Sequence, residues 1–172
     1  IQTRAYDGFW NNDDAIGIYM LDGATAEASN KKYTTTVADA TADGTFSATE
    51  GDIYFPVDGS TRDFIAYYPH QSTVTADGTY TVNLSNQTPQ KAVDLMRSTK
   101  VTGKYKGDAS VAFRFYHKLV KLEVNIQAGT GMENVSLAGT TVALTNQPVT
   151  GTFSVLAENA EATADAATEA NP

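Results

Sequence analysis

The stretch from Val111 to Ile126 constrains the fold more than any other part of the sequence. It reads VAFRFYHKLVKLEVNI, with apolar residues at alternate positions, and the side chains of a β-strand alternate between the two faces of a sheet. The parity of the apolar residues changes between Leu119 and Val120, which predicts a bulge or a swap of face. We therefore expect two strands, or one long bent strand, through the middle of a β-rich core. One parity comprises Val111, Phe113, Phe115 and Leu119, and the other comprises Val120, Leu122, Val124 and Ile126.

Turn signals divide the rest of the chain into short segments. Asp-Gly dipeptides tolerate the positive φ angles that tight hairpin turns require. Short apolar segments between frequent turns are typical of an all-β sandwich or barrel. The Asp-Gly turns begin at Asp7, Asp22, Asp43, Asp58 and Asp77.

The apolar segments between these turns predict the remaining strands and the core. Besides 111–126, we expect strands at 15–21, 53–56, 64–69, 80–84, 135–137, 141–144 and 150–156, and an edge strand or loop at 30–37. A helical turn is expected around 92–96. The predicted core comprises Trp10, Ile16, Ile18, Phe55, Phe64, Ile65, Val111, Phe113, Phe115, Leu122, Val124 and Phe153.

The composition changes near the end of the sequence. Residues 157–172 read AENAEATADAATEANP, with four acidic residues, no basic ones and no large apolar side chain. Such a segment has no face to bury against a core. We expect one domain over residues 1–156 and an acidic, alanine-rich tail or severed loop over 157–172.

Composition excludes several classes of function. The chain has no cysteine, which rules out disulfides, thiolate metal sites and cysteine catalysis. Its formal net charge of −8 argues against nucleic-acid binding and against electrostatic attachment to anionic membranes. No apolar run approaches the roughly 20 residues needed to span a bilayer.

No group of residues in the sequence matches the pattern of a known type of catalytic site. His70 and His117 are the only histidines, and neither belongs to an HxH or HExxH pattern. Asp13 and Asp14, beside two asparagines, could supply oxygen ligands to calcium, although solvated turn residues are the simpler interpretation. We predict a protein that is not an enzyme, with no catalytic residue, cofactor or metal site.

Four tyrosines allow two interpretations. They could form an exposed platform for stacking sugars, or they could pack in the core and on strand surfaces, as the tyrosines of a β-sandwich commonly do. We favour packing. These tyrosines are Tyr67, Tyr68, Tyr105 and Tyr116.

A series of motifs in this order resembles the fimbrillin-like proteins of Bacteroidetes, the FimA-like and Mfa-like subunits of surface fimbriae. Trp10 followed by Asp14-Ala-Ile-Gly-Ile-Tyr-Met20 is similar to the opening motif of that family. Each motif is weak alone, but together they cover residues 10–153. The later ones are Ile53-Tyr-Phe-Pro56, Asp63-Phe-Ile-Ala-Tyr-Tyr-Pro69, Asp94-Leu-Met96, Phe115-Tyr-His-Lys-Leu-Val-Lys-Leu122 and Thr150-Gly-Thr-Phe153.

The resemblance implies a fold and a function. The expected fold is a seven-stranded, transthyretin-like β-sandwich with Greek-key-type connections. The expected function is that of a structural fimbrial subunit, exported as a lipoprotein precursor and displayed at the outer membrane and cell surface, where it supports adhesion. Family members assemble when an arginine-specific protease removes an N-terminal strand and a neighbouring subunit's strand replaces it. Arg4 and Ala5 lie where that cut is expected.

The chain also departs from the family pattern. Family subunits usually carry a second sandwich domain, and the lipid-bearing cysteine would have to lie upstream of this sequence. We therefore expect an N-terminal domain fragment or a short relative. Its expected partners are other fimbrial subunits, joined by β-strand complementation, and surface glycans or proteins of host or bacterium. The alternative is a monomeric carbohydrate-binding or adhesin module resembling a fimbrial tip, and a hydrolase is the third hypothesis.

Overall fold

The computed structural model of the chain describes residues 9–38, 41–108, 110–132 and 134–165, and shows an all-β sandwich. A seven-stranded sheet packs against a three-stranded sheet, and every strand pair is antiparallel. The predicted β-sandwich is confirmed. The strands are β1 (Ala15–Asp22), β2 (Thr25–Thr35), β3 (Phe46–Ala48), β4 (Arg62–Tyr68), β5 (Thr79–Asn83), β6 (Met96–Ser98), β7 (Val101–Lys104), β8 (Phe115–His117), β9 (Thr150–Ser154) and β10 (Thr163–Ala164).

The larger sheet is centred on the pair formed by β1 and β4. Its strand order is β3-β2-β1-β4-β6-β8, with β7 pairing with β4, and the smaller sheet has the order β10-β9-β5. The sequences AIGIYMLD and RDFIAYY are apolar at both parities, as is usual for strands that are covered on both faces. Each face of this pair therefore needs its own apolar cover.

Two apolar clusters provide that cover, one on each face of the larger sheet. Even-numbered residues of β1 and β4 enter the first cluster and odd-numbered residues enter the second, as strand geometry requires. The smaller sheet closes over the second cluster. The first cluster contains Trp10, Ile16, Ile18, Met20, Phe64, Ala66, Tyr68, Met96 and Phe115. The second contains Tyr19, Leu21, Ile65, Tyr67, Val74, Tyr80, Val82, Leu95, Phe153 and Val155.

The first hairpin follows the turn signal in the sequence. Asp22 ends β1, Gly23 has φ = +60°, and β2 begins at Thr25. A residue with a Cβ atom is strained at this φ, which explains why glycine occupies the turn. Gly59 and Gly78 also have positive φ angles, whereas the Asp7-Gly8 turn lies outside the described residues.

Strand β2 is longer than predicted and contains a bulge at Asn30. The residue pairing shifts between Ile18–Lys31 and Met20–Ala28, and Asn30 has φ = +48°. Its side-chain amide donates hydrogen bonds of 2.9 Å to the carbonyl oxygens of two residues in the 71–74 loop. The segment predicted as an edge strand or loop at 30–37 is therefore largely an internal strand, which the bulge ties to the loop after β4.

The prediction for 111–126 is correct for its first part and wrong for its second. Val111 and Phe113 are partly buried and pack against the first cluster, to which buried Phe115 belongs. Only residues 115–117 of this stretch form a strand. The chain bends at 118–119, one residue earlier than the predicted change of face, and Leu119 packs against the second cluster.

Beyond this bend, the predicted core residues Leu122 and Val124 are 62% and 52% exposed. No described strand lies beside them to bury them, because the alternation of apolar residues indicates the capacity to form a strand but not the presence of a partner.

Several smaller expectations are also corrected. The segments 53–56, 135–137 and 141–144 belong to no described strand, although Ile53 and predicted core residue Phe55 pack partly buried against the first cluster. The helical turn lies at Gln90–Ala92, as a single turn of 3₁₀ helix, and Met96 belongs to β6.

Part of the predicted tail lies against the smaller sheet. Thr163–Ala164 pairs with β9, and the Asp165 amide donates a hydrogen bond to the Thr150 carbonyl oxygen. Ala160 and Ala162 pack against the second cluster. The predicted domain boundary at 156 stays a prediction, and residues 166–172 lie outside the described part of the chain.

Asp14 is a buried structural residue rather than a solvated turn residue. Asp14 is only 5% exposed, and its carboxylate accepts hydrogen bonds from the backbone amide of Asn11 at 2.8 Å and from the Tyr68 hydroxyl at 3.0 Å. Burial, reinforced by Asp14, raises the pKa of Tyr68, so this hydroxyl remains a donor. The contact fixes the start of β1 against the end of β4.

We predict that Tyr68→Phe lowers the free energy of unfolding by about 1–3 kcal/mol, because it leaves a buried carboxylate oxygen without its donor. Urea denaturation measures the change. Tyr116→Phe is the matched control. Because Tyr116 is exposed, this variant should have a free energy of unfolding close to that of the parent. Equal effects of the two substitutions would contradict the structural role assigned to Asp14.

Candidate functional site: an apolar groove beside an edge strand

An open groove lies on the face of the larger sheet that the smaller sheet does not cover. Its volume is about 850 Å³. Ile16 and Ile18 of β1 and Phe64 of β4 line it from the sheet side. These residues belong to the first cluster, so the groove is a gap in the cover over that cluster.

The walls are aromatic and aliphatic side chains from segments outside the central strands. They are only partly buried although they pack against the first cluster, which leaves apolar surface facing the groove. Sequence reasoning assigned no role to Tyr33 or Phe46, although the turn at Asp43-Gly44 just before Phe46 could have drawn attention to it. The partly buried wall residues are Tyr33, Phe46, Ile53, Phe55, Val111 and Phe113.

Trp10 lines the groove and contacts several aromatic side chains around it. Its ring meets Phe46, Tyr68 and Phe115 edge-to-face, with centroid distances of 4.9, 5.5 and 5.4 Å. Such contacts contribute about 0.5–1.5 kcal/mol per pair beyond area burial. Trp10 also pairs with Thr41 through two backbone hydrogen bonds of 2.8 and 3.1 Å. The part of the groove lining around Trp10 is therefore closely packed.

Polar residues line the groove together with the apolar ones. Thr45, Thr99 and Ser110 supply hydroxyl groups among its lining residues, and Asp43 and Arg114 are exposed residues of opposite charge. A groove of this kind suits an occupant that presents both apolar side chains and polar backbone groups.

One wall continues an edge of the sheet. β8 is the last strand in the described part of the larger sheet, and the 111–114 stretch leads into it. The Thr99 amide donates a 3.1 Å hydrogen bond to the Arg114 carbonyl oxygen, which anchors this stretch beside β6. An apolar groove therefore lies next to a strand edge that pairs with no further strand in the described part of the chain.

Neither histidine lines the groove. His117 Nδ1 lies 2.7 Å from Asp94 Oδ1, and this hydrogen bond raises the pKa of His117. Burial lowers the pKa of His70, with nearby Lys32 acting in the same direction. Within the described ranges, no three His, Asp or Glu side chains are grouped to hold a metal ion.

The four tyrosines do not form one exposed platform. Tyr67 and Tyr68 are buried, and Tyr67 donates a hydrogen bond to the Asn30 side-chain oxygen at 2.5 Å. Tyr105 and Tyr116 remain partly exposed. Arg4 and Ala5, the predicted processing site, lie outside the described residues.

A second apolar feature lies outside the groove, and we call it the exposed row. It consists of alternate residues after the bend at 118–119, from a segment with neither helix, turn nor strand between 120 and 129. The row comprises Val120, Leu122, Val124 and Ile126, which are 96%, 62%, 52% and 47% exposed.

Comparison with known proteins places these features in a family context. The chain matches the sequence pattern of the fimbrillin-like family over residues 3–172. It is 54% identical over 159 residues to Fim1C of Bacteroides uniformis, a protein named as a fimbrium subunit. That match covers 91% of this chain and 52% of the relative, so the chain spans about half the length of Fim1C.

Two crystal structures are similar to this fold. One is a protein described as a cell adhesion protein from Bacteroides uniformis, with a TM-score of 0.83 and 46% identity, covering 99% of this chain and 68% of that one. The other is described in the same way, from Bacteroides ovatus, with a TM-score of 0.59 and 21% identity, covering 93% and 60%. The second likeness shows the fold alone.

We predict opposite pKa shifts for the two histidines, which ¹H NMR titration of their ring protons will resolve. His117 should titrate above 6.5 and His70 below it, because one bonds a carboxylate and the other is desolvated. Protonated His117 therefore stabilises the fold fully below pH 6.5, and this contribution is lost as the pH rises through its raised pKa. Asp94→Asn should return the pKa of His117 towards 6.5 and leave the pKa of His70 unchanged. Coincident titrations would refute the assignment.

Proposed function

The chain belongs to the fimbrillin-like family, and we propose that it is a structural subunit of a cell-surface fimbrium that supports adhesion rather than an enzyme. The observation that carries the proposal is the apolar groove beside the β8 edge. The fimbrium subunit and the cell adhesion protein to which the chain is similar support the same role. No helix in the described residues is long and apolar enough to cross a membrane.

We propose that the groove accepts an extended strand from a neighbouring subunit. An added strand satisfies its backbone by pairing with a sheet edge, and its alternate side chains fill a groove. Phe113 and Phe115 lie on the groove side of the stretch that leads into β8, so an incoming strand would meet apolar walls where it meets the edge. Because the groove and the incoming strand are different surfaces, each subunit can bind the next and the contact propagates into a fibre.

The family resemblance suggests the step that starts assembly, and we include that step in the proposal. Cleavage between Arg4 and Ala5 by an arginine-specific protease would free the groove for the neighbour's strand. Export as a lipoprotein precursor and display at the outer membrane belong to the same proposal. No described observation favours the alternative of a monomeric carbohydrate-binding module, because the tyrosines that suggested it are divided between the core and the surface.

We predict that Phe113→Asp keeps the protein out of fimbriae, because a carboxylate on the groove wall is incompatible with an apolar side chain seated there. The variant is expressed in a Bacteroides uniformis strain lacking its own related subunit, and sheared fimbriae are probed by immunogold labelling. Tyr116→Asp is the matched control, since Tyr116 is exposed on the other side of the same stretch and should be incorporated normally. Circular dichroism checks that both variants are folded. Equal incorporation of both would exclude the groove as the assembly site.

We predict that the fimbrial form of the protein begins at Ala5. Mass spectrometry of protein sheared from the cell surface reads the N-terminus directly. Arg4→Ala should leave uncleaved precursor at the cell surface and reduce fimbriae, whereas Arg114→Ala should be processed normally. A mature chain that retains Arg4 would overturn the proposed trigger without affecting the groove.

A further inference from the structure

We propose that residues 155–165 form a strap that protects the β9 edge of the smaller sheet from pairing with another chain, and that an ion pair between Glu158 and buried Arg97 holds this strap closed. β9 pairs with β5 along one side, and the two residues of β10 cover part of the other. A sheet edge that is left uncovered is a site of aggregation. The inference concerns the smaller sheet and does not rest on the proposed strand acceptance by the groove.

The strap begins at a residue that is held through both of its backbone groups. Val155 is buried, and its amide donates a 2.8 Å hydrogen bond to the Gly78 carbonyl oxygen. Its carbonyl oxygen accepts a 2.5 Å hydrogen bond from Arg97 Nε. Three later residues of the strap pack against the second cluster, namely Leu156, Ala160 and Ala162. The strap therefore covers apolar surface as well as a strand edge.

The far end of the strap lies against a glycine of β9. A Cβ atom added to Gly151 would overlap the carbonyl oxygen of Thr163, so only glycine lets β10 approach this closely. β10 has two residues, and the acidic residues Glu161 and Asp165 lie near its ends. A short edge strand beside charged side chains offers little to an incoming strand. The closed strap thus gives this edge a protected end.

Arg97 lies at the base of the strap and carries a buried charge. The residue is only 8% exposed. Its Nη1 donates a 3.0 Å hydrogen bond to the Ser98 carbonyl oxygen, but its Nη2 is buried without an acceptor. Among the described residues, no carboxylate forms an ion pair with this guanidinium. A buried charge without a counter-ion is strongly unfavourable, so Arg97 needs a carboxylate.

Glu158 is the carboxylate that is placed to meet this need. Because Nη2 is closed off from solvent, its acceptor has to come from chain that already lies around the guanidinium. Glu158 is exposed at a turn three residues beyond Val155, and three residues of chain span at most about 11 Å. Burial lowers the pKa of Arg97, and the negative charge of Glu158 opposes that shift. Turning the Glu158 side chain inwards gives the guanidinium its counter-ion and fixes the strap.

Hydrogen exchange of the strap tests the ion pair. Glu158→Gln should raise the exchange rates of the backbone amides of residues 156–165 severalfold and leave those of β1 and β4 unchanged. Glu161→Gln is the matched control, since Glu161 is an exposed acidic residue of the same strap. Arg97→Met removes the buried charge at similar volume, and in that background Glu158→Gln should have no further effect. Equal exchange in the Glu158→Gln and Glu161→Gln variants would refute the ion pair.

Association between copies tests the protection of the edge. Gly151→Val should keep the far end of the strap from its place, so sedimentation velocity should show larger species that increase with protein concentration. Glu158→Gln should show the same species in smaller amounts. Gly129→Val is the matched control, because a Cβ atom at Gly129 would have no described part of the chain within 4 Å. A Gly151→Val protein that is folded by circular dichroism and as monomeric as the parent would overturn the proposal.

A disulfide across the strap tests the same point in a chain that has no cysteine of its own. Thr152 and Thr163 are directly opposed, and Cα atoms of opposed residues in an antiparallel pair lie about 4.5–5.5 Å apart, which a disulfide can bridge. With both replaced by cysteine, oxidation should suppress the association of the Glu158→Gln variant and reduction should restore it. Association that is unchanged by oxidation contradicts the protective role.

The groove variant separates this edge from the groove. Phe113→Asp should leave the association of the Gly151→Val protein unchanged, because Phe113 belongs to the other face of the larger sheet. If Phe113→Asp abolishes that association, the groove joins the copies and the β9 edge does not.

Discussion

The pairing of β1 with β4 is the constraint on which the rest of this structure depends. Both strands carry apolar side chains at every position between Ile18 and Leu21 and between Phe64 and Tyr68, so both faces of the pair must be removed from water. The smaller sheet covers one face. On the other face, Trp10 and partly buried aromatic side chains cover the strands incompletely, and the groove is the part that remains open.

The central strands could be predicted from the sequence because their apolar character is independent of any partner. The runs at 15–21 and 64–69, which predicted these strands, are apolar enough to require burial in any β-fold. Asp14 could not be predicted as buried, since the tyrosine that donates to it is 54 positions away and only the fold brings the two together. Strand β2 was only weakly visible because most of its residues are half-buried and it is held by backbone pairing with both neighbours.

The same reasoning explains the largest error, at 118–144. Alternation of apolar and polar residues shows that a segment can form a strand, and a core position requires in addition that another element lies beside it. Only one wall of the groove could be predicted from the sequence. The shared parity of Val111, Phe113 and Phe115 places them on one face, but the volume beside them depends on segments that carry no such pattern, such as the turn before Phe46.

The connection between β8 and β9 can vary more freely than the two sheets that it joins. These strands belong to different sheets, and the chain between them adds no described strand to either sheet. Closing a longer loop adds only about 0.6 kcal/mol for each doubling of its length. Insertions, deletions and substitutions there can therefore accumulate while both sheets stay intact. Variation among proteins with this architecture is therefore expected to concentrate in this connection rather than in the two sheets.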